Sequence, residues 1–106
     1  MSDRLRRNTH PGELLREDVL PALGMTQGEL AKRLGVSRLT VSELLREKRA
    51  VSADMAMRLA RLLNTTPESW LNVQQAVDLW ELRRARMRRY ARIRPVRVPT
   101  PTSPSD

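Results

Sequence analysis

The chain has 106 residues, which is enough for one small domain with one hydrophobic core. It has no cysteine, which excludes disulfides and thiolate metal sites, and no phenylalanine, so the core must be largely aliphatic. A net charge of +8 favours a polyanionic partner.

The positive charge is unevenly distributed along the chain. Residues 1–82 hold 12 Lys/Arg and 11 Asp/Glu and are nearly balanced, whereas residues 83–106 hold eight Arg and one Asp. Within the balanced part, residues 32–49 hold six basic and two acidic side chains. Most of the excess therefore lies in a C-terminal arginine run, and a second, smaller excess lies near the middle of the chain.

The N-terminal part predicts an arm and a first helix. Residues 1–9 are polar and predict a flexible arm. Pro11 suits the first position of a helix, where its missing N–H costs nothing. The helical spacing continues through Leu14, Leu15, Asp18 and Val19. Pro21 and Gly24 are expected to end or break this helix.

The segment TQGELAKRLGVSRLTVSELL predicts two short amphipathic helices joined by a tight turn. Thr26 and Glu29 form a capping-box pattern at the start of the first, Gly35 suits the left-handed residue after it, and Ser37 is a good N-cap for the second. The predicted inward residues are Leu30, Ala31, Leu34, Val41, Leu44 and Leu45. This is the layout of a helix-turn-helix, which places its second helix in the DNA major groove.

The outward residues of the second helix suit base reading. Arg38 can donate two hydrogen bonds to guanine, and Leu39 can contact a thymine methyl group. Thr40 and Ser42 suit either bases or phosphates. Glu43 suits either acceptance from cytosine N4 or exclusion of a phosphate.

Three further side chains are predicted to hold the DNA backbone. Gln27 lies at the start of the preceding helix, and Lys48 and Arg49 follow the reading helix. A purely structural helix pair remains the alternative, because outward Arg, Ser and Glu are also ordinary solvated residues. The register of the apolar positions with two capped helix starts favours DNA binding.

The C-terminal half predicts two more helices. After a loop at 48–51, Ser52 caps a fourth helix whose inward residues are Met55, Leu59, Leu62 and Leu63. Residues 64–66 end it, and Thr66 with Pro67 starts a fifth. The apolar stripe of that helix is Trp70, Val73, Val77 and Trp80, and it can continue through Met87 and Ala91 until Pro95.

These patterns predict four regions. They are a flexible N-terminal arm at 1–9, a helix-turn-helix domain at 10–82, an Arg-rich helical extension at 83–94 and a Pro/Ser/Thr-rich disordered tail at 95–106. The fold class is all-α.

At these residues the chain resembles a known family. TQGELAKRLGVSRLTVSELL is similar to the helix-turn-helix of the XRE/phage-repressor family, and HPGELLREDVLPALG and TPESWLNVQQAVDLWEL resemble the opening and fifth helices of its HigA (VapI-like) antitoxins. The resemblance implies a five-helix, lambda-repressor-like domain, dimeric operator binding and a HigB-type toxin partner, a ribosome-dependent mRNA interferase of the RelE-like fold. By position, it also implies DNA contacts at Gln27, Ser37, Arg38, Leu39, Thr40 and Glu43.

The chain departs from that family after the reading helix. The family usually has Asn-Gly or a similar pair where this chain has Arg46 and Glu47. A left-handed residue is less favourable there without glycine. We therefore expect either a slightly longer helix or a different loop.

The remaining candidates are few. His10, the single histidine, is interpreted as a cap or structural residue, and neither a metal nor a cofactor is expected. No nucleophile motif or Gly-rich phosphate loop is present, so catalysis is not expected. Without a long apolar run or a signal-peptide pattern, the expected location is the cytoplasm.

The distal fifth helix raises two questions that the sequence leaves open. Its apolar side chains, Trp80 and Met87, predict a homodimer interface, since an apolar face beyond the domain needs cover. The arginines from Arg83 to Arg97 are open to three interpretations: a solvated face, nonspecific phosphate contacts, or binding of an acidic partner.

The predicted function is a DNA-binding antitoxin that represses its own operon and binds a toxin. The alternatives are a stand-alone regulator without a toxin, or a protein-binding adaptor without DNA binding.

Overall fold

The computed structural model of the chain describes residues 9–99. The predicted arm, apart from Thr9, and the predicted tail from residue 100 onward lie outside the described residues. Residues 9–99 form five helices and no strand, which confirms the all-α prediction. The helices are α1 (11–23), α2 (Gln27–Leu34), α3 (Arg38–Leu45), α4 (Ala53–Leu63) and α5 (Pro67–Ala91).

Helix α1 continues through Pro21, so the prediction that this proline helps to end it was wrong. The helix is α-helical at Pro11–Leu14, π-helical at Leu15–Val19 and α-helical again at Leu20–Leu23. A proline inside a helix lacks an N–H and crowds the carbonyl four residues back. The wider π turn just before Pro21 gives its ring room. Gly24, in the left-handed region at φ 61°, ends the helix as predicted.

The predicted N-caps are confirmed at every helix start. His10 caps α1, where its Nδ1 accepts a 2.9 Å hydrogen bond from the Gly12 N–H. The hydroxyls of the other capping residues accept from the backbone N–H three residues later, at 3.0 to 3.1 Å; these residues are Thr26, Ser37, Ser52 and Thr66. Each cap satisfies a helix-end donor that has no partner within the helix.

The core lies where α1 to α4 meet, and the first part of α5 closes it. It is aliphatic apart from Trp70, whose indole N–H donates to the Thr65 hydroxyl at 2.8 Å. The fully buried side chains with the largest volumes are Leu15, Leu30, Leu44, Leu45, Leu59, Val41 and Pro11. Burying a leucine or valine side chain contributes roughly 1.5–3 kcal/mol, so these residues fix how the helices pack.

Helix α5 is the longest element and outgrows the domain. It packs on α4 and also contacts α1. Its buried side chains are Trp70, Gln74 and Val77, and from residue 81 onward all its side chains are exposed. The helix ends at Ala91, short of the predicted end at 94, because the residue before Pro95 is disfavoured in helical conformation. Arg86, at φ −132° and ψ 15°, kinks it.

No helix within residues 9–99 combines the length and apolar character that a membrane span requires.

Candidate DNA-binding surface

The turn between α2 and α3 is built from Gly35 and a close approach of the two helices. Gly35 lies in the left-handed region at φ 73°, and its N–H and that of Val36 both donate to the Ala31 carbonyl, at 2.9 and 3.0 Å. Ala31 is buried at this contact. These backbone hydrogen bonds satisfy the carbonyls at the end of α2 and fix the direction in which α3 leaves the turn.

The start of α2 is held by a full capping box. The Thr26 N–H donates to the Glu29 carboxylate at 3.0 Å, and the Glu29 N–H donates to the Thr26 hydroxyl at 3.1 Å. The hydrogen bond from the Thr26 backbone lowers the pKa of Glu29, since it favours the carboxylate form. Gln27 is exposed at the first position of the helix that this box starts.

Helix α3 is positioned from behind by α1. Val41, Leu44 and Leu45 are buried in the core. At Gly12 the backbone of α1 lies so close to α3 that an added Cβ would overlap the Leu44 carbonyl oxygen. The opposite face of α3 is left to solvent.

The predicted contact residues are distributed over this outer face. Arg38 and Leu39 are exposed, Leu39 by 62%. Thr40, Ser42 and Glu43 are partly buried. The fold therefore places Arg38 and Leu39 outermost, at the N-terminal end of the reading helix, where base contacts of helix-turn-helix proteins are made.

Ser37 and Thr40 are tied to each other. The Ser37 hydroxyl accepts from the Thr40 N–H at 3.0 Å and lies 2.9 Å from the Thr40 hydroxyl. Both hydroxyls thus belong to the cap of α3. If Ser37 or Thr40 contacts DNA, its hydroxyl must do so while it also takes part in the cap of α3.

Arg38 rests on α2, which the sequence did not indicate. Its guanidinium lies over Gly28, such that a Cβ added there would be 2.6 Å from Nη2 and 3.1 Å from Cζ. Gly28 directly follows Gln27, so the guanidinium lies over the same first turn of α2 that carries the predicted phosphate-binding Gln27. The one sequence signal for this contact was a glycine in the first turn of α2, the helix that precedes the predicted base-reading residue Arg38.

Glu43 and Arg49 form an ion pair. Arg49 Nη2 and Nε donate to Glu43 Oε1 at 2.6 and 3.1 Å. The pair joins α3 to the loop after it. Arg49 therefore contacts α3, and Glu43 contacts the loop. The two side chains were predicted separately, Arg49 as a phosphate contact and Glu43 as either a base contact or a group that excludes a phosphate.

In the loop after α3, a residue other than glycine adopts the left-handed conformation. Helix α3 ends at Leu45, and Glu47 adopts φ 62°. Its N–H donates to the Leu44 carbonyl at 3.0 Å, and the next N–H, of Lys48, donates to the Glu43 carbonyl at 2.8 Å. Of the two expected outcomes, a longer helix is therefore wrong, and the usual glycine-type helix end forms at a glutamate.

Arg16 of α1 stabilises this strained loop. Its Nη1 donates to the Leu45 carbonyl at 2.6 Å, and both terminal nitrogens lie 3.4 Å from a Glu47 carboxylate oxygen. A left-handed residue with a side chain costs about 1–2 kcal/mol. The Arg16 hydrogen bonds offset part of that cost, and they fix the position of the segment that carries Lys48.

Gln74 of α5 fixes the other end of the same loop. Its Oε1 accepts from the Val51 N–H at 2.9 Å, and its Nε2 donates to Asp78 Oδ1 at 2.9 Å. Gln74 is buried. It was not predicted, although a glutamine adjoining the apolar stripe of a helix was a detectable signal. The loop with Lys48 and Arg49 is thus held from both sides.

The predicted dimer residues lie beyond the core. Trp80 is half-buried, and the Arg84 guanidinium lies 4.7 Å from its ring centroid. Met87 is 53% exposed. Arg84 therefore covers part of the apolar stripe by a cation–π contact.

The family model for helix-turn-helix proteins matches residues 15–71. The chain belongs to the helix-turn-helix family. The match begins inside α1 and ends inside α5, so it includes all the predicted DNA-contact residues from Gln27 to Arg49. Within the family the chain belongs with the HigA antitoxins, which confirms the resemblance.

Two similar helix-turn-helix proteins show this relationship. Antitoxin HigA-1 of Vibrio cholerae is 45% identical over 78 residues, 74% of this chain and 73% of that protein. Virulence-associated protein I of Dichelobacter nodosus is 47% identical over 70 residues, 66% of this chain and 65% of that protein. The chain thus spans just under two thirds of the second protein.

A third relative carries a different description. An uncharacterized HTH-type transcriptional regulator of Escherichia coli K12, YbaQ, is 43% identical over 82 residues, 77% of this chain and 73% of that protein.

Two similar solved structures contain DNA. The antitoxin GraA in complex with its operator has a TM-score of 0.80 and 42% identity, covering 87% of this chain and 94% of that one. Pseudomonas aeruginosa antitoxin HigA with the higBA promoter has a TM-score of 0.79 and 37% identity, covering 85% and 99%. This chain therefore shares its fold with two antitoxins whose structures were solved with operator or promoter DNA.

Proposed function

We propose that this protein is a sequence-specific DNA-binding antitoxin that represses its own toxin–antitoxin operon and neutralises a HigB-type, RelE-like mRNA interferase. The observation that carries the proposal is the outer face of α3, which presents Arg38 and Leu39 on a scaffold shared with two antitoxins solved on promoter or operator DNA. Double-stranded operator DNA is the first partner. A repressor that binds operator DNA and neutralises such a toxin would act in the cytoplasm.

Arg38 is the main base reader in this proposal. A bidentate contact to guanine discriminates against other bases by about 1–3 kcal/mol. Arg38→Ala is therefore expected to weaken binding to the protein's own promoter by roughly 5- to 150-fold, measured by fluorescence anisotropy. Ser42 and Leu39 complete the base-facing set, and Gln27, Lys48 and Arg49 hold phosphates beside it. The matched control is Arg61→Gln, an exposed arginine of α4 without a described ion pair.

The functional unit is a homodimer. Helix-turn-helix proteins bind two half-sites about 34 Å apart, which one copy cannot span. The proposed contact is made by apolar residues of distal α5, with the half-buried Trp80 and the exposed Met87 at its centre. Truncation after residue 82 should shift sedimentation from dimer to monomer, as should Met87→Glu in the full chain. Unchanged dimers in both would exclude this interface.

A toxin is the second partner. The support is the relationship to proteins named antitoxin, one of them 45% identical. The test is co-expression with the small open reading frame beside the gene and co-purification on a tag. A stable complex that also relieves growth arrest supports the antitoxin function, and the absence of any complex contradicts it.

A stand-alone transcriptional regulator is the second candidate. It is favoured by the similarity to YbaQ, which is described as a transcriptional regulator. A gene neighbourhood without a small adjacent open reading frame, together with normal promoter binding, would select this candidate. A gel shift with no promoter preference would leave only a protein-binding adaptor.

A further inference from the structure

The segment after the domain is a dense, unpaired positive surface. We name residues 83–99 the arginine arm. It contains eight arginines and no acidic residue, and all of its described side chains are exposed. Within residues 9–99 none of these arginine side chains forms an ion pair, and the one side-chain contact among them is that of Arg84 with the Trp80 ring. Like charges at this density repel each other, so a polyanion that neutralises them lowers their free energy.

The helix that carries the arm contacts the end of the loop that follows α3, about two and a half turns before the arm begins. Gln74 accepts from the Val51 N–H, which places α5 against the end of that loop. Lys48 and Arg49, the proposed phosphate contacts, lie just before Val51 in the same loop. At about 1.5 Å per residue, Arg83 lies roughly 14 Å beyond Gln74 along the helix axis. The arm and the basic loop residues are thus joined through α5, with Asp78 and Glu81 on the stretch between Gln74 and Arg83.

The distribution of charge within the arm indicates the kind of partner. Arginines occur on every side of the helix rather than along one face, and the kink at Arg86 changes its direction midway. Protein interfaces exclude charge from their centres and confine it to a rim. Duplex DNA instead offers one phosphate charge per about 1.7 Å of helix axis, which suits many guanidiniums in no fixed register.

We infer that the arginine arm binds the phosphate backbone of duplex DNA flanking the site read by α3. This rests on the proposed DNA-binding function and adds to it a sequence-independent clamp. The arm contributes affinity and salt dependence, while α3 contributes sequence preference. The proposed homodimer contact at Trp80 and Met87 lies on one side of this helix, so the arginines on its other sides stay outside that interface.

The test compares charge-neutralised variants of the full chain. R86Q/R88Q/R89Q/R92Q removes four arm charges while keeping residues of similar helix propensity. The control, R61Q, removes one charge from α4. Binding is measured at several salt concentrations on the promoter duplex, on a scrambled duplex and on a promoter duplex trimmed to the central site. Sedimentation and circular dichroism verify assembly and helix content.

The expected result is a reduced salt slope. Log affinity against log salt should lose about 0.9 per phosphate contact removed, hence roughly 2–4 per protomer in the arm variant. The affinity loss should be equal on promoter and scrambled duplexes, and R61Q should leave the slope unchanged. Trimming the flanks should lower the wild-type slope to that of the arm variant, a readout that does not depend on the variant's assembly.

Two results would overturn the inference. One is an arm-variant slope equal to that of the wild type. The other concerns poly-glutamate: the wild-type protein binds it, the arm variant does not, and the two proteins have the same salt slope on DNA. The arm would then be a site for an acidic protein. If the wild-type protein shows no preference for its promoter, the proposed repressor function fails instead. The difference in salt slope on scrambled DNA would still show whether the arm binds phosphates.

Discussion

Gly28→Ala separates the stability of the fold from DNA reading. Gly28 is in the first turn of α2, and a Cβ there would be 2.6 Å from Nη2, 3.1 Å from Cζ and 3.2 Å from Nε of Arg38. The atoms that clash are the end of a flexible side chain, so the guanidinium must move while the backbone need not. Alanine in a helix is favoured over glycine by up to about 1 kcal/mol. The variant should therefore be as stable as the wild type or more stable by up to about 1 kcal/mol, measured by urea unfolding.

DNA binding should respond in the opposite direction. Displacing Arg38 from its rest on α2 should lose part of a base contact worth about 1–3 kcal/mol, so we expect roughly 3- to 30-fold weaker binding to the promoter. Anisotropy titrations of Gly28→Ala, Arg38→Ala and the double variant form a cycle. In the Arg38→Ala background, Gly28→Ala should have no further effect. Two results would refute the role of Gly28 in positioning Arg38. One is that Gly28→Ala lowers promoter affinity as much in the Arg38→Ala background as in the wild type, and the other is that Gly28→Ala alone keeps full promoter affinity.

Three further predictions concern how α2 and α3 are held. Gly12→Ala should destabilise the fold by about 3 kcal/mol in urea unfolding, because its Cβ meets the rigid Leu44 carbonyl; a fully stable variant would show that α1 does not pack as described. Arg16→Ala should cost about 1–2 kcal/mol, since the Leu45 carbonyl loses its donor, and hydrogen exchange should quicken in the loop after α3; unchanged exchange there would contradict this role. The lowered pKa of Glu29 stabilises the fold above the unfolded-state pKa, and this contribution is lost as the pH falls through the folded-state value. In an acid titration followed by NMR, the first turn of α2 should loosen over that range, and Glu29→Gln should abolish the dependence.

Local rules predicted the helix starts and the reading unit. Thr26 with Glu29 and Ser37 carry their capping information within four residues, and Gly35 carries the left-handed turn in a single residue. Such signals depend only on the backbone near them, so the sequence suffices. The inward residues of α2 and α3 followed from the 3.6-residue period for the same reason.

What the sequence did not indicate depends on contacts between distant residues. Pro21 continues a helix because a π turn precedes it, and nothing in the local pattern predicts that turn. Arg16 reaches the end of α3, and Gln74 reaches Val51, across 29 and 23 residues. Side chains that join separate helices are determined by packing, which single-sequence patterns do not contain. The same limit applies to Arg38 over Gly28.

The central claim is that α3 reads operator DNA through Arg38. The most direct measurement is a titration of the full-length protein and of Arg38→Ala with the promoter duplex and with a scrambled duplex of equal length, at one salt concentration. The wild-type protein should prefer the promoter strongly, and Arg38→Ala should lose most of that preference while keeping its affinity for the scrambled duplex. Equal promoter preference in both proteins would contradict the account.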